Sequence, residues 1–183
     1  KDGYESKFIE TIVKEVYRKV SRVSLPVADY PVGLESRVYK VISLLNLDSY
    51  DVVHMVGIHG IGGIGKTTIA RAVYNSISNQ FDGQCFLEDV RENSMKFGLV
   101  HLQNIVLSMI CCDGDINVQN EKEGISMIRQ RLCRKKVLLV LDDVNKKEQF
   151  KAIAGASNWF GPGSRVIITT RDNNLLLRHW DGF

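Results

Sequence analysis

Glycines recur through GIHGIGGIGKTT, residues 57–68, and the run closes on a lysine and two threonines. Gly60, four intervening residues and then Gly65-Lys66-Thr67 satisfy the pattern G-x-x-x-x-G-K-[ST] of a phosphate-binding loop. The chemistry explains the composition. Without side chains in the way, the backbone N–H groups of Gly60, Gly62, Gly63, Ile64 and Gly65 can curl around phosphate oxygens. In such a loop Lys66 reaches the β- and γ-phosphates, serving both binding and catalysis. The Thr67 hydroxyl holds Mg²⁺, a hard cation that takes oxygen ligands and keeps several waters of its own. Thr68 either touches the α-phosphate or packs in the first helical turn. The competing reading is a glycine-rich turn with a solvated lysine.

A second cluster lies in KKVLLVLDDV, where Asp142 and Asp143 stand just beyond an apolar run at residues 136–141. Two adjacent carboxylates after a strand are weak by themselves; behind a phosphate loop they form a Walker B segment. Asp142 is assigned to Mg²⁺ through water. Asp143 either polarises the attacking water or tunes the charge around the metal, because one carboxylate beside another disfavours ionisation. A third strand-like run ends in TTRD, residues 169–172, which brings Arg171 to the same edge, where it can sense a γ-phosphate.

These residues meet only if the surrounding elements place them together. Residues 52–56 are rich in β-branched side chains and predict a buried strand, and residues 67–78 carry Ile69, Ala72, Val73 and Ile77 at helical spacing. The loop therefore joins strand to helix, which adds unpaired amides and the positive end of the helix dipole. Further strands are predicted at 84–87, 136–141 and 165–169. Helical stripes separate them: Leu99, Leu102, Ile105, Val106 and Met109, then Ile125, Ile128 and Leu132, then Phe150, Ile153 and Ala154. Continuous apolar strands alternating with helices imply an α/β fold with a mostly parallel sheet covered on both faces, and a ligand at the carboxyl ends of the strands. Upstream, Phe8 to Val20 reads as an amphipathic helix. A Pro-containing linker follows near residues 21–31, and a short helix with Glu35 in its first turn precedes the first strand.

Bulk properties narrow the classes. With 183 residues and 44% hydrophobic content the chain can bury one sizeable core. Its 24 basic and 21 acidic residues mix without a basic block or basic-aromatic stripe, so nucleic acid is not an expected partner. No run approaches the roughly 18 apolar residues of a membrane span, and the N-terminus lacks a signal-peptide core. A soluble, intracellular protein is expected. It starts without Met and reads as part of a longer chain. Cys85, Cys111, Cys112 and Cys133 form no C-x-x-C pair and read as reduced, buried thiols; the four histidines are scattered.

In order along the chain, VGLESRV, GIGGIGKTT, LLVLDDV and GSRVIITTRD resemble the nucleotide-binding (NB-ARC) domain of plant intracellular immune receptors, a class of STAND P-loop ATPases. FLEDVRENSMKFGLVHLQ resembles the variant in receptors with an N-terminal TIR domain, and DGYESKFIETIVKEV resembles the helix joining TIR to NB-ARC. The resemblance implies a linker helix over residues 1–25 and a partial NB-ARC domain over 26–183. It implies a three-layer αβα sandwich ending before its last strand and its helical subdomains. The implied activity is a switch, off with ADP and on with ATP, that hydrolyses ATP slowly with Mg²⁺ and acts in defense signalling. Hydrolysis by the 183 residues themselves is expected to be weak or absent. The implied partners are adenine nucleotide, the receptor's own TIR, ARC and leucine-rich repeat domains, and further copies on activation. The implied location is the cytoplasm, with the nucleus a second place. By the same resemblance, backbone groups of Val32 and Gly33 lie near adenine, the phosphate-loop strand sits beside the TTRD strand at an open sheet edge that favours self-association, and ADP binding is weak without the helical subdomains that cover the nucleotide. His59 and Asn145 depart slightly from the family pattern. A conventional P-loop ATPase or small-molecule kinase is the alternative.

Overall fold

A computed structural model describes residue 9 and residues 24–27, 33–111 and 116–177. Apart from Ile9, which is helical, the expected helix over Phe8 to Val20 lies outside the described residues, as do Val32 and Cys112. Helix α1 (Leu34–Leu45) leads into β1 (His54–His59), the phosphate loop and α2 (Lys66–Ile77). Strand β2 (Gly83–Leu87) is followed by α3 (Val90–Phe97), α4 (Leu99–Ile110) and α5 (Glu121–Leu132). Then come β3 (Val137–Val144), α6 (Lys147–Ala154), β4 (Arg165–Thr170) and a short α7 (Asn173–Leu177).

The four strands form one parallel sheet in the order β1-β4-β3-β2, so the phosphate-loop strand does lie beside the TTRD strand. Alternation along the central strands divides the core between two faces. Val137, Leu139 and Leu141 pack with Leu102, Val106, Ile128 and Ile153 of the helices on one side. Leu138 and Val140 pack with Val41 and Leu45 of α1 and Ile69, Val73 and Ile77 of α2 on the other. All six residues of β4 are buried, which explains why central strands read as unbroken apolar runs. The result is the expected αβα sandwich.

Several boundaries differ from the sequence reading. The first strand starts at His54 rather than at residue 52, because Val52 is 51% exposed in the bend before it. Strand β3 runs to Val144, so Asp142 and Asp143 belong to its end rather than to a loop beyond it. Helix α3 was hidden, since its VRENSMKF sequence buries only Val90 and shows no apolar stripe.

Arg165 opens β4 and is 1% exposed, yet among the described residues its hydrogen bonds go to no carboxylate. Its guanidinium instead donates to the carbonyls of Asn46, Ser49, Val52 and Ser164. Burial lowers its pKa. These bonds tie the connection between α1 and β1 to the start of β4, which sets the register of the strand carrying the loop. Cys85 and Cys111 are buried, as expected, while Cys133 is only half-buried. Burial pushes the Cys85 thiol up to about 12, which leaves it an inert part of the core.

Candidate functional site

The strand order decides which side chains meet. Because the sheet is parallel, β1, β4, β3 and β2 all deliver their carboxyl ends to one edge. A cavity of about 300 Å³ opens there, lined by Gly62, Gly63, Gly65, Lys66, Thr67 and Thr68 on one side. Asp89, Arg91, Asp142, Asp143, Thr169 and Arg171 close the other side.

Within the loop, Gly63 and Gly65 take left-handed backbone angles, with φ of 78° and 92°, that side-chain-bearing residues rarely adopt. The space where their Cβ atoms would stand is open, so a phosphate can approach the backbone closely. Lys66 is buried at the first position of α2, and its ammonium donates to the carbonyls of Gly60 at 2.8 Å and Ile61 at 3.0 Å. Two of its three N–H donors thus fold the loop around the amine, and the third is left for an anion. The Gly60 N–H pairs with the Thr170 carbonyl at 3.3 Å, so its amide extends the sheet rather than the cradle. Gly60, Ile64 and Gly33 are not among the cavity-lining residues; Gly33 caps the start of α1 with φ of 68°.

The acidic pair is split by the backbone. Pairing between β3 and β4 shifts register between Leu141 and Val144, and Asp143 sits at φ 54°, in the left-handed region. A bulge of this kind re-aims side chains at a strand end. Asp142 turns inward, 2% exposed, and accepts from Thr67 Oγ1 at 2.9 Å and from Thr169 Oγ1 at 2.6 Å. The Thr169 hydroxyl in turn accepts the Asp143 N–H at 2.8 Å. Burial raises the Asp142 pKa, against the two threonine hydrogen bonds that lower it; the nearby charges of Asp89 and Asp143 raise it further. A buried carboxylate in that state favours a cation beside it.

Asp143 turns to the rim. Its Oδ2 pairs with Arg91 Nη2 at 3.0 Å and its Oδ1 with Arg171 Nε at 3.1 Å. The Arg171 guanidinium also lies over Gly62, where an added Cβ would meet its Nη1 at 3.4 Å. Sequence reasoning found the loop, Asp142, Asp143 and Arg171, and the structure gathers them. It missed Arg91, Asp89 and the role of Thr169. Nothing in the spacing of Arg91 ties it to the loop; it arrives because β2 pairs with β3 and hands the chain to α3 beside Asp143.

The residues present fit a Mg²⁺-nucleotide. Thr67 and Asp142 supply hard oxygen donors within hydrogen-bond distance of each other, and the open glycine cradle stands next to them. Among the described residues no cluster of three His, Cys, Asp or Glu side chains could hold a metal alone. Mg²⁺ would depend on phosphate oxygens and water for its remaining ligands, its usual habit.

The chain is 43% identical over 176 residues to disease resistance protein RPV1 of Vitis rotundifolia, covering 96% of this chain and 12% of that protein. It is 41% identical over 186 residues to TMV resistance protein N of Nicotiana glutinosa, covering 98% of this chain and 16% of that one. The chain thus spans less than a fifth of these relatives. Among solved structures, Cdc6p from Pyrobaculum aerophilum superposes with a TM-score of 0.60 at 13% identity, covering 85% of this chain and 43% of that one, a likeness of fold alone. The NB-ARC domain family matches residues 34–181, most of the described molecule, and the chain belongs to that family.

Proposed function

We propose that the chain is the nucleotide-binding core of a plant immune receptor, holding ADP at rest and ATP when active, with slow Mg²⁺-dependent hydrolysis. The observation that carries this reading is the contact of Thr67 Oγ1 with the buried Asp142 carboxylate, 2.9 Å apart at the head of the glycine loop. It sets two hard ligands where a β- or γ-phosphate bound to the loop would share a Mg²⁺ ion. Lys66 and the first-turn amides of α2 bind the phosphates, Arg171 reports on the γ-phosphate, and Asp143 either orients the attacking water or tunes the charge beside it. TIR and leucine-rich repeat domains would act through this core in the full receptor, which assembles with further copies on activation. Disease-resistance relatives support the switch over a conventional ATPase or kinase. Calorimetric titration with ADP, with and without Mg²⁺, tests the reading. Binding that Mg²⁺ strengthens is expected; no ADP binding by the folded chain would overturn it.

A further inference from the structure

The cavity is lined by three basic side chains, Lys66, Arg91 and Arg171, and three acidic ones, Asp89, Asp142 and Asp143. Lys66 serves the loop and Asp142 faces Thr67, so the function proposed above leaves one cation unassigned. Arg91 is held in place by its own element. Val90 beside it is fully buried, Asn93 Nδ2 donates to the Glu88 carbonyl at 2.9 Å, and Ser94 Oγ receives Gln149 Nε2 of α6 at 2.7 Å. The first turn of α3 is thereby fixed from three sides. Arg91 itself is only partly covered, its side chain 38% exposed, and it pairs with one oxygen of Asp143.

The other oxygen of that carboxylate holds Arg171. Asp143 therefore acts as a single counterion shared by two arginines that arrive from different strands, Arg91 in the helix after β2 and Arg171 just beyond β4. A terminal phosphate carries more charge and more acceptor oxygens than one carboxylate, and arginine forks match its geometry. We propose that Arg91 is a second γ-phosphate ligand, parked on Asp143 when the terminal phosphate is absent and transferred to it when a nucleoside triphosphate binds. Arg91 and Arg171 then close on the γ-phosphate from the β2 and β4 sides of the sheet. A diphosphate ends short of both and leaves the pairs with Asp143 in place. The device discriminates triphosphate from diphosphate. This inference rests on the nucleotide-binding reading of the same cavity.

The test uses the 183-residue chain, ADP and a non-hydrolysable ATP analogue, with binding measured by calorimetry in Mg²⁺ and folding by thermal melts. Arg91→Ala and the length-preserving Arg91→Gln are expected to weaken the analogue by about tenfold or more, the scale of a lost charge-assisted hydrogen bond, and to leave ADP within about twofold. Asp143→Asn, which frees both arginines, is expected to tighten the analogue relative to ADP. Gln keeps the inference testable should the Ala variant fold poorly. Unchanged analogue binding in a folded Arg91 variant would overturn it, as would equal loss of both nucleotides. Lys66→Ala separates the two levels: wild-type binding that needs Lys66 but ignores Arg91 sinks only this inference. A wild-type chain that binds neither nucleotide sinks the parent reading as well.

Discussion

Lys66 and Asp142 are both buried charges, and their burial has opposite consequences. The Lys66 ammonium is satisfied by two loop carbonyls, so removing it deletes a phosphate ligand without disturbing the sheet beneath. Lys66→Ala is expected to weaken ADP binding by about tenfold to a hundredfold while the melting temperature stays near that of the parent, as calorimetry and a thermal melt will read. Asp142 is different because burial raises its pKa above the ordinary 3.8. For an acid shifted upward, the folded state binds the proton more tightly than the unfolded state does. Its contribution to stability is therefore full below the ordinary value and is lost as pH rises through the raised folded value. Asp142→Asn keeps an acceptor for Thr67 and Thr169 but never ionises. It is expected to raise the nucleotide-free melting temperature at pH 7, to flatten the fall in stability over that acidic window, and to weaken the Mg²⁺ dependence of ATP binding. Melts across pH 3–7 and Mg²⁺ titrations measure the three effects together.

At the scale of elements, one polar side chain fastens three helices. Gln103 of α4 is fully buried, and its Nε2 donates to the Glu121 carbonyl at the start of α5 and to the Ala152 carbonyl in α6. Gly124 lets α5 approach, because a methyl there would overlap the Gln103 amide. Gly124→Ala gains helix propensity but must displace a hydrogen-bonded amide from a packed interior. A net loss of about 1–3 kcal/mol in urea unfolding is expected. These helices shape the face of the sheet opposite α2, and α6 also holds the Ser94 contact that steadies α3. Their packing thus reaches the rim arginine through one hydrogen bond.

Across the whole molecule, β1 pairs with β4 and has no second strand neighbour among the described residues. Its residues are mostly half-buried, against complete burial along β4. Leu176 of α7 covers Gly57, but the backbone of β1 on the side away from β4 meets no other strand among the described residues, and the strand carries little charge to repel another chain. Concentration-dependent self-association is expected in sedimentation velocity of the 183-residue chain. A sedimentation coefficient constant from micromolar to hundreds of micromolar would show that the edge is covered by other means. No helix among the described residues is long and apolar enough to cross a membrane.

What could be read from the residues alone follows from local rules. Glycine spacing before Lys66, set between a strand and a helix, specifies a backbone cradle, and apolar runs within β3 and β4 specify interior parallel strands because both faces must be covered. The order of the motifs was enough to place the loop, Asp142 and Arg171 at one edge. Adjacent carboxylates in sequence, however, carry no information about direction. The bulge after Leu141 sends Asp142 to two threonines and Asp143 to two arginines, and it exists only because β3 pairs with β4 in a shifted register. Helix α3 shows no apolar stripe, so Arg91 was illegible until the pairing of β2 with β3 fixed where that helix begins. Spacing along a chain determines local backbone chemistry; contacts between residues far apart in it belong to strand order, which no single segment encodes.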